Sequence, residues 1–270
     1  MKLNNLLQES KINWSNFFVS SDSRSYDDED KFDISPTEFL DFAKKDYYCT
    51  NKQGMINALS NAKRAIDCQV DWILEYLGYK YSEFNSKVYP NIDIIINEYE
   101  LENEFLYDTP FKLKFVQAMD IAPSFLVSKI RLLRNKLEHE YTIPKKNEVK
   151  EALEVAELFI NATKNIVYSE ICHEFYFSNN ESIYDSLQSA KEYYYVNFDV
   201  CDKKDITIML FTSQKRLSEI ITPTDEEYAF LIKVMTSHNF CYLPKAFGKE
   251  INKKYIKYSA SLMAKRITFP

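Results

Sequence analysis

Residues 55–78, MINALSNAKRAIDCQVDWILEYLG, decide the fold class expected for this chain. Ile56, Leu59, Ile66, Val70, Ile73 and Leu77 recur at helical intervals and fall on one face of an α-helix. Gly78 follows, where a left-handed cap stops a helix without a Cβ penalty. Upstream, Ser35-Pro36-Thr37-Glu38 combines a capping serine, proline at the first helical position and a glutamate three residues on. A helix is therefore expected from there to about Tyr48. Downstream, short helices are expected over Ile92–Tyr107 and Phe111–Met119, punctuated by Thr109-Pro110 and Ala122-Pro123. An amphipathic helix over Ile121–Tyr141 comes next. A fourth long helix over Glu148–Tyr168 would bury Val149, Leu153, Ala156, Ile160 and Val167. Long helices with short connections predict a bundle.

The pattern changes after about Ser169. Glu192–Val200 is rich in Tyr, Val and Phe and alternates, with Val196, Phe198 and Val200 on one side. Asp205–Thr212 reads as a second strand, Cys201–Lys204 as the hairpin turn between them, and Phe175–Ser178 as the start of a third. Thr224-Asp225-Glu226-Glu227 has the form of a capping box opening a helix to about Ser237. The basic tail, Lys249–Lys265, is expected to be helical or irregular. The expected architecture is thus mainly α: a polar lead-in over residues 1–33, a helical domain over 34–170, and a small α+β module over 171–270.

Composition excludes several function classes. The chain has 270 residues, 46% of them apolar and 27% charged, which is a globular balance. Only three glycines occur, and there is no G-x-G-x-x-G and no Walker A sequence, so nucleotide-dependent chemistry on a glycine-rich loop is not expected. No cofactor is expected. Five cysteines without paired spacing argue against a disulfide framework and for the cytoplasm. Cys172-His173 with His238-x-x-Cys241 would supply four zinc ligands, but adjacent ligands are awkward and no C-x-x-C is present, so no metal site is expected. No signal peptide leads the chain and no apolar run is long enough to span a membrane. Asp27-Asp28-Glu29-Asp30 reads as a solvated acidic loop. Tyr193-Tyr194-Tyr195 can stack bases, although a half-buried aromatic strand accounts for it more simply.

The residues with the most chemistry lie in Arg134-Asn135-Lys136-Leu137-Glu138-His139-Glu140-Tyr141. Arginine grips phosphate oxygens through a planar fork of donors. Histidine moves protons near neutral pH, and the chain has only three. On a helix, Leu126, Ile130, Leu133 and Leu137 form the buried stripe. Relative to Leu133, Arg134 lies at roughly 100° and Tyr141 at roughly 80°, both at the edge of that stripe. Asn135 and His139 lie at roughly 200° and 240°, so His139 faces solvent or a second subunit. A purely structural reading is also open: Arg134 and Glu138 have ion-pair spacing, and a protonated His139 is favoured near a helix C-terminus. The net charge of −6 offers no global attraction to nucleic acid. Locally, Lys129, Arg131, Arg134, Lys136, Lys145 and Lys146 face only Glu138 and Glu140, a net of +4 over residues 129–146.

Arg134-Asn135-x-x-x-His139 resembles the signature of the HEPN superfamily, and the extension to Tyr141 is similar to the Arg-x4-His-x-Tyr form of HEPN toxins. Asn57–Asp67 resembles the early helix of these domains. The resemblance covers about residues 35–170 and implies a HEPN-like helical bundle. It further implies a metal-independent endoribonuclease acting as a homodimer, either a toxin or an antiviral defence effector. Arg134 would hold the scissile phosphate, His139 would act as general acid or base, and Asn135 would orient either. Lys129, Arg131, Lys136, Lys145 and Lys146 would line the RNA path. Tyr141 would be a site of regulatory modification or a packing residue. RNA is the expected substrate, with an antitoxin or regulatory protein as a further partner. The alternative is a non-catalytic HEPN-like protein that dimerises or binds a nucleotide or partner.

Overall fold

Ser35, Pro36 and Glu38 form the capping box expected of them: the Glu38 N–H donates to Ser35 Oγ at 3.2 Å, and the Ser35 N–H donates to Glu38 Oε2 at 2.8 Å. The Ser35 N–H bond is the main reason the Glu38 carboxyl titrates below its ordinary range, with the serine hydroxyl adding to it. The computed structural model describes residues 2–22, 32–49, 51–103, 109–122, 141–184, 187, 190–249, 257–260 and 264–268.

The helical elements are α1 (Asn4–Glu9), α2 (Pro36–Tyr48), α3 (Lys52–Tyr76), α4 (Ile92–Glu102), α5 (Phe111–Ala118), α6 (Lys146–Ser169), α7 (Tyr228–Ser237) and α8 (Leu243–Ala246). The strands are β1 (Asn16–Asp22), β2 (Glu174–Ser178), β3 (Tyr193–Phe198), β4 (Ile206–Phe211), β5 (Arg216–Ile221), β6 (Lys257–Ala260) and β7 (Ala264–Thr268). All pair antiparallel in one sheet of order β5-β4-β3-β2-β1-β7-β6.

This sheet overturns the expectation of a mainly α chain built as a HEPN-like bundle with a small appended module; the fold is mixed α+β. The hairpin β3–β4 and strand β2 stand where alternation placed them. The polar lead-in supplies β1, which lies between β2 and β7 in the sheet. The tail expected to be helical or irregular supplies β6 and β7. The expected capping box at Thr224 does not form either. The Asp225 carboxylate instead accepts from Thr222 N–H and Oγ1, both at 2.7 Å, and α7 opens only at Tyr228. Lys2 pairs with that same carboxylate at 2.8 Å.

The chain divides into two compact units. The sheet unit comprises Met1–Tyr26, Tyr76–Ile95 and Tyr168–Pro270; the helical unit comprises Asp27–Glu75 and Ile96–Val167.

In the sheet unit, Phe17, Val19, Phe175, Phe177, Tyr194, Val196, Ile208 and Leu210 form the inner face and are buried. Residues opposite one another in an antiparallel register share a face, which is why alternate positions of β2, β3 and β4 sort together. Phe240 and Phe247 cover this face, with ring centroids 5.3 Å from Phe175 and 5.8 Å from Phe177. Trp14 closes one end against Phe247, 4.8 Å away. The Tyr194 hydroxyl, its pKa pushed up to about 12 mainly by burial, donates to the Leu6 carbonyl of α1 at 3.1 Å.

Gly78 has φ +87°, and Tyr228 reaches the same corner. The Tyr228 hydroxyl shares its one proton between the carbonyls of Leu77 (2.9 Å) and Lys204 (2.7 Å), latching Leu77 to the β3–β4 turn within the sheet unit. A Cβ on residue 78 would lie 2.3 Å from that hydroxyl, so only glycine leaves room for the latch.

In the helical unit, Leu59, Ile66, Val70 and Ile73 of the expected stripe are buried on α3 and Ile56 is half-buried, while Ala58, Ala62, Ala65 and Trp72 are also enclosed. α6 begins two residues before its expected start, where Glu148 Oε2 accepts from the Lys145 N–H at 2.7 Å. α3 and α6 are joined internally by Gln69 Nε2 donating to Thr163 Oγ1 at 3.0 Å, both side chains buried. Lys44 of α2 pairs with Glu157 of α6 at 2.8 Å.

Candidate functional site

The expected motif helix falls largely on residues 123–140, which lie outside the described residues. This takes in Arg134, Asn135, His139, Lys129, Arg131 and Lys136. The three remaining predicted site residues are described, and all belong to the helical unit. The Tyr141 ring, placed by helical angles at the edge of an apolar stripe, is 86% exposed, and its backbone is left-handed with φ +54°. Lys145 is exposed, and its N–H caps α6. Lys146 is exposed at the first turn of α6, with Nζ 5.5 Å from the centre of the Tyr47 ring of α2. Lys145 and Lys146 therefore stand together at the start of α6, with Tyr141 a few residues before them.

The histidines considered as zinc ligands have other work. His173 is buried, with Nε2 3.0 Å from the Tyr76 hydroxyl and its ring stacked 6.2 Å from Phe198. His238 Nε2 lies 2.5 Å from the Glu170 carbonyl. Cys172 Sγ donates to the Glu174 carbonyl at 3.2 Å. Among the described residues no group of histidine, cysteine or carboxylate side chains is placed to hold a metal ion.

Two further places in the described chain have the make-up of sites. The first is an open cavity of about 250 Å³ in the helical unit, lined by Ile66, Val70, Pro110 and Leu113 with Asp67, Asp71 and Lys112. Lys112 Nζ sits 2.7 Å from Asp71 Oδ1. Partial burial raises the Asp71 pKa, against the opposing pull of Lys112. Asp67, one helical turn away, raises it further while pairing with Lys63.

The second is the outer face of the sheet. The register places Ser218, Met209, Tyr195 and Tyr176 in one row and Arg216, Phe211 and Tyr193 in the next. Tyr176 stacks on Tyr195 (4.8 Å, 26° between planes), and Tyr193 stacks on Phe211 (4.8 Å, 13°). The Tyr195 hydroxyl donates to Glu174 Oε2 at 2.9 Å. The exposed Arg216 lies over Phe211, with the guanidinium carbon 5.0 Å from the ring centre and Nη2 2.7 Å from Met209 Sδ. Sequence reading weighed Tyr193-Tyr194-Tyr195 as one run, whereas Tyr194 points inward. It missed Tyr176, Met209, Phe211 and Arg216 because only the register across four strands brings them together.

No family model, curated protein or solved structure matches the chain. No helix among the described residues is long and apolar enough to cross a membrane.

Proposed function

We propose that this protein is a metal-independent endoribonuclease that acts as a homodimer in the cytoplasm, serving as a toxin or antiviral defence effector under the control of an inhibitory partner. One observation carries the reading: Arg134-Asn135-x-x-x-His139-x-Tyr141, a phosphate-gripping group and a proton-transfer group at HEPN-like spacing, set within a locally basic stretch. The exposed Lys145 and Lys146 add positive charge next to this stretch. None of the five cysteines is in a disulfide, in keeping with a reducing compartment.

The chemistry needs no metal. The 2′-hydroxyl of RNA attacks the adjacent phosphorus, the P–O5′ bond breaks, and a 2′,3′-cyclic phosphate forms. His139 takes the proton from the 2′-oxygen or delivers one to the departing 5′-oxygen. Arg134 stabilises the charge that builds on the non-bridging oxygens, an effect worth about 3–4 kcal/mol for a single well-aimed donor. Asn135 orients the phosphate or His139.

The product ends test this reading. Cleavage should leave a 2′,3′-cyclic phosphate or its hydrolysis product beside a 5′-hydroxyl, and a 2′-deoxy nucleotide at the cleaved position should block the reaction. A 5′-phosphate product, or cutting that continues across the 2′-deoxy position, rules out the mechanism.

A further inference from the structure

We infer that the outer face of the sheet is a docking site for an unpaired nucleotide of RNA, with Arg216 receiving the phosphate and Tyr195 and Met209 bordering the base. The inference names a substrate-holding site for the RNA-cleaving reading and rests on it for the identity of the ligand.

An exposed arginine ordinarily either moves freely in water or pairs with a carboxylate. Among the described residues Arg216 pairs with none; its guanidinium lies over the Phe211 ring at 5.0 Å and beside the Met209 sulfur. A cation over a ring is restrained in position, and Arg216 remains exposed to solvent. The group is therefore charged, restrained and exposed, which suits phosphate recognition.

Neighbouring charges leave that position favourable to an anion. Lys215, beside it at the start of β5, pairs with Glu9 at 2.6 Å. Glu192 accepts from the Lys11 N–H at 2.8 Å and from the Ser10 hydroxyl at 3.3 Å. Glu174, a buried carboxylate on the outer face, lies two register rows away from Arg216 and accepts from the Tyr195 hydroxyl. The face thus has a cationic end at Arg216 and an acidic end at Glu174, with aromatic rings between.

Apolar chemistry supplies the second half. Strands β1 to β3 are partly covered on this side by Ile183, Tyr184, Leu187 and Ala190, which pack with Phe18, Tyr176 and Tyr193. Tyr195, Met209, Phe211 and Ile220 lie beyond that cover; Ile220 is exposed and the other three are half-buried. Phe211 lies between Tyr193 and Arg216, so the base would lie against the half-buried Tyr195 ring and the Met209 thioether while its phosphate meets Arg216.

The test measures binding of a short fluorescent single-stranded RNA to the full-length His139→Ala protein, which should hold RNA without cutting it. Arg216→Ala should weaken binding about tenfold and lower the slope of log affinity against log salt by about one. Arg216→Lys keeps the charge but not the fork and should recover only part of the loss. Tyr195→Ala should weaken binding by a similar factor, whereas Tyr195→Phe, which keeps the ring, should bind as the parent does. Unchanged affinity and slope in Arg216→Ala would overturn the inference. So would competition by inorganic phosphate as effective as that by RNA, since it would reduce the site to an anion contact. The function and the site fail separately. If wild type cuts RNA but binding ignores Arg216, this site is wrong and the nuclease reading stands. If wild type does not cut RNA but binding depends on Arg216 and Tyr195, the site stands and the nuclease reading falls.

Discussion

Replacing Gly78 with alanine should break the latch that joins Leu77 to the β3–β4 turn. At φ +87° a Cβ costs about 1–2 kcal/mol of backbone strain. The new atom would also lie 2.3 Å from Tyr228 Oη, too close for the hydroxyl to stay. That hydroxyl satisfies the Leu77 and Lys204 carbonyls, and displacing it forfeits about 1–3 kcal/mol of buried hydrogen bonding. Gly78→Ala should therefore destabilise the sheet unit by about 3 kcal/mol. Tyr228→Phe alone removes the same bonds without the strain and should cost about 2 kcal/mol. Because both changes remove one hydroxyl's work, the double variant should be little worse than Gly78→Ala alone, about 3 kcal/mol rather than the additive 5. Urea unfolding can follow this unit selectively. The chain has two tryptophans, and in a Trp72→Phe background Trp14, packed on Phe247, is the only indole reporting. Additive losses in the double variant would refute the idea that the glycine is required by the latch.

Three further outcomes follow from the helical unit. Ser35→Ala removes the acceptor for the Glu38 N–H and should cost about 1 kcal/mol by urea unfolding followed at Trp72, while the Glu38 pKa moves up toward its ordinary value by NMR titration. Thr163→Val should strand the Gln69 amide donor and cost about 1–3 kcal/mol, whereas the double change with Gln69→Met should recover most of that loss; a double variant no better than the single would contradict the assignment. Asp71 titrates above its ordinary value in the folded chain, so the folded state holds its proton more tightly than the unfolded one. Stability should then fall as pH rises from the ordinary aspartate pKa through the raised one. Asp71→Asn should flatten that decline in unfolding midpoints measured across the window, and an unaltered pH profile would count against it.

What could be read from the sequence was what local chemistry specifies. The capping box at Ser35, the stripe on α3 with Gly78 behind it, the long α6 and the β3–β4 hairpin all carry their signals within a few residues. β1 does not: Phe17, Phe18 and Val19 are all buried, so a strand covered on both faces shows no alternation, and its flanks are polar. β5 alternates between exposed and only half-buried positions until Ile221, as expected of an edge strand carrying Arg216, Ser218 and Glu219. β6 and β7 gain their place by pairing that begins at β1, more than two hundred residues away, which no local pattern encodes. At Thr224 two local signals competed, and the Asp225 turn with its Thr222 and Lys2 partners prevailed over the capping box. The candidate sites divide the same way. Arg134 and His139 stand out by spacing along the chain, while the platform around Arg216 exists only once four strands are in register.

The measurement closest to the central claim is cleavage of structured and single-stranded RNA in excess EDTA by wild type, Arg134→Ala and His139→Ala, with folding checked by circular dichroism. The account predicts that wild type cuts without metal and that both variants, still folded, do not. Absence of cutting by wild type across varied RNAs, or undiminished cutting by both variants, would contradict it.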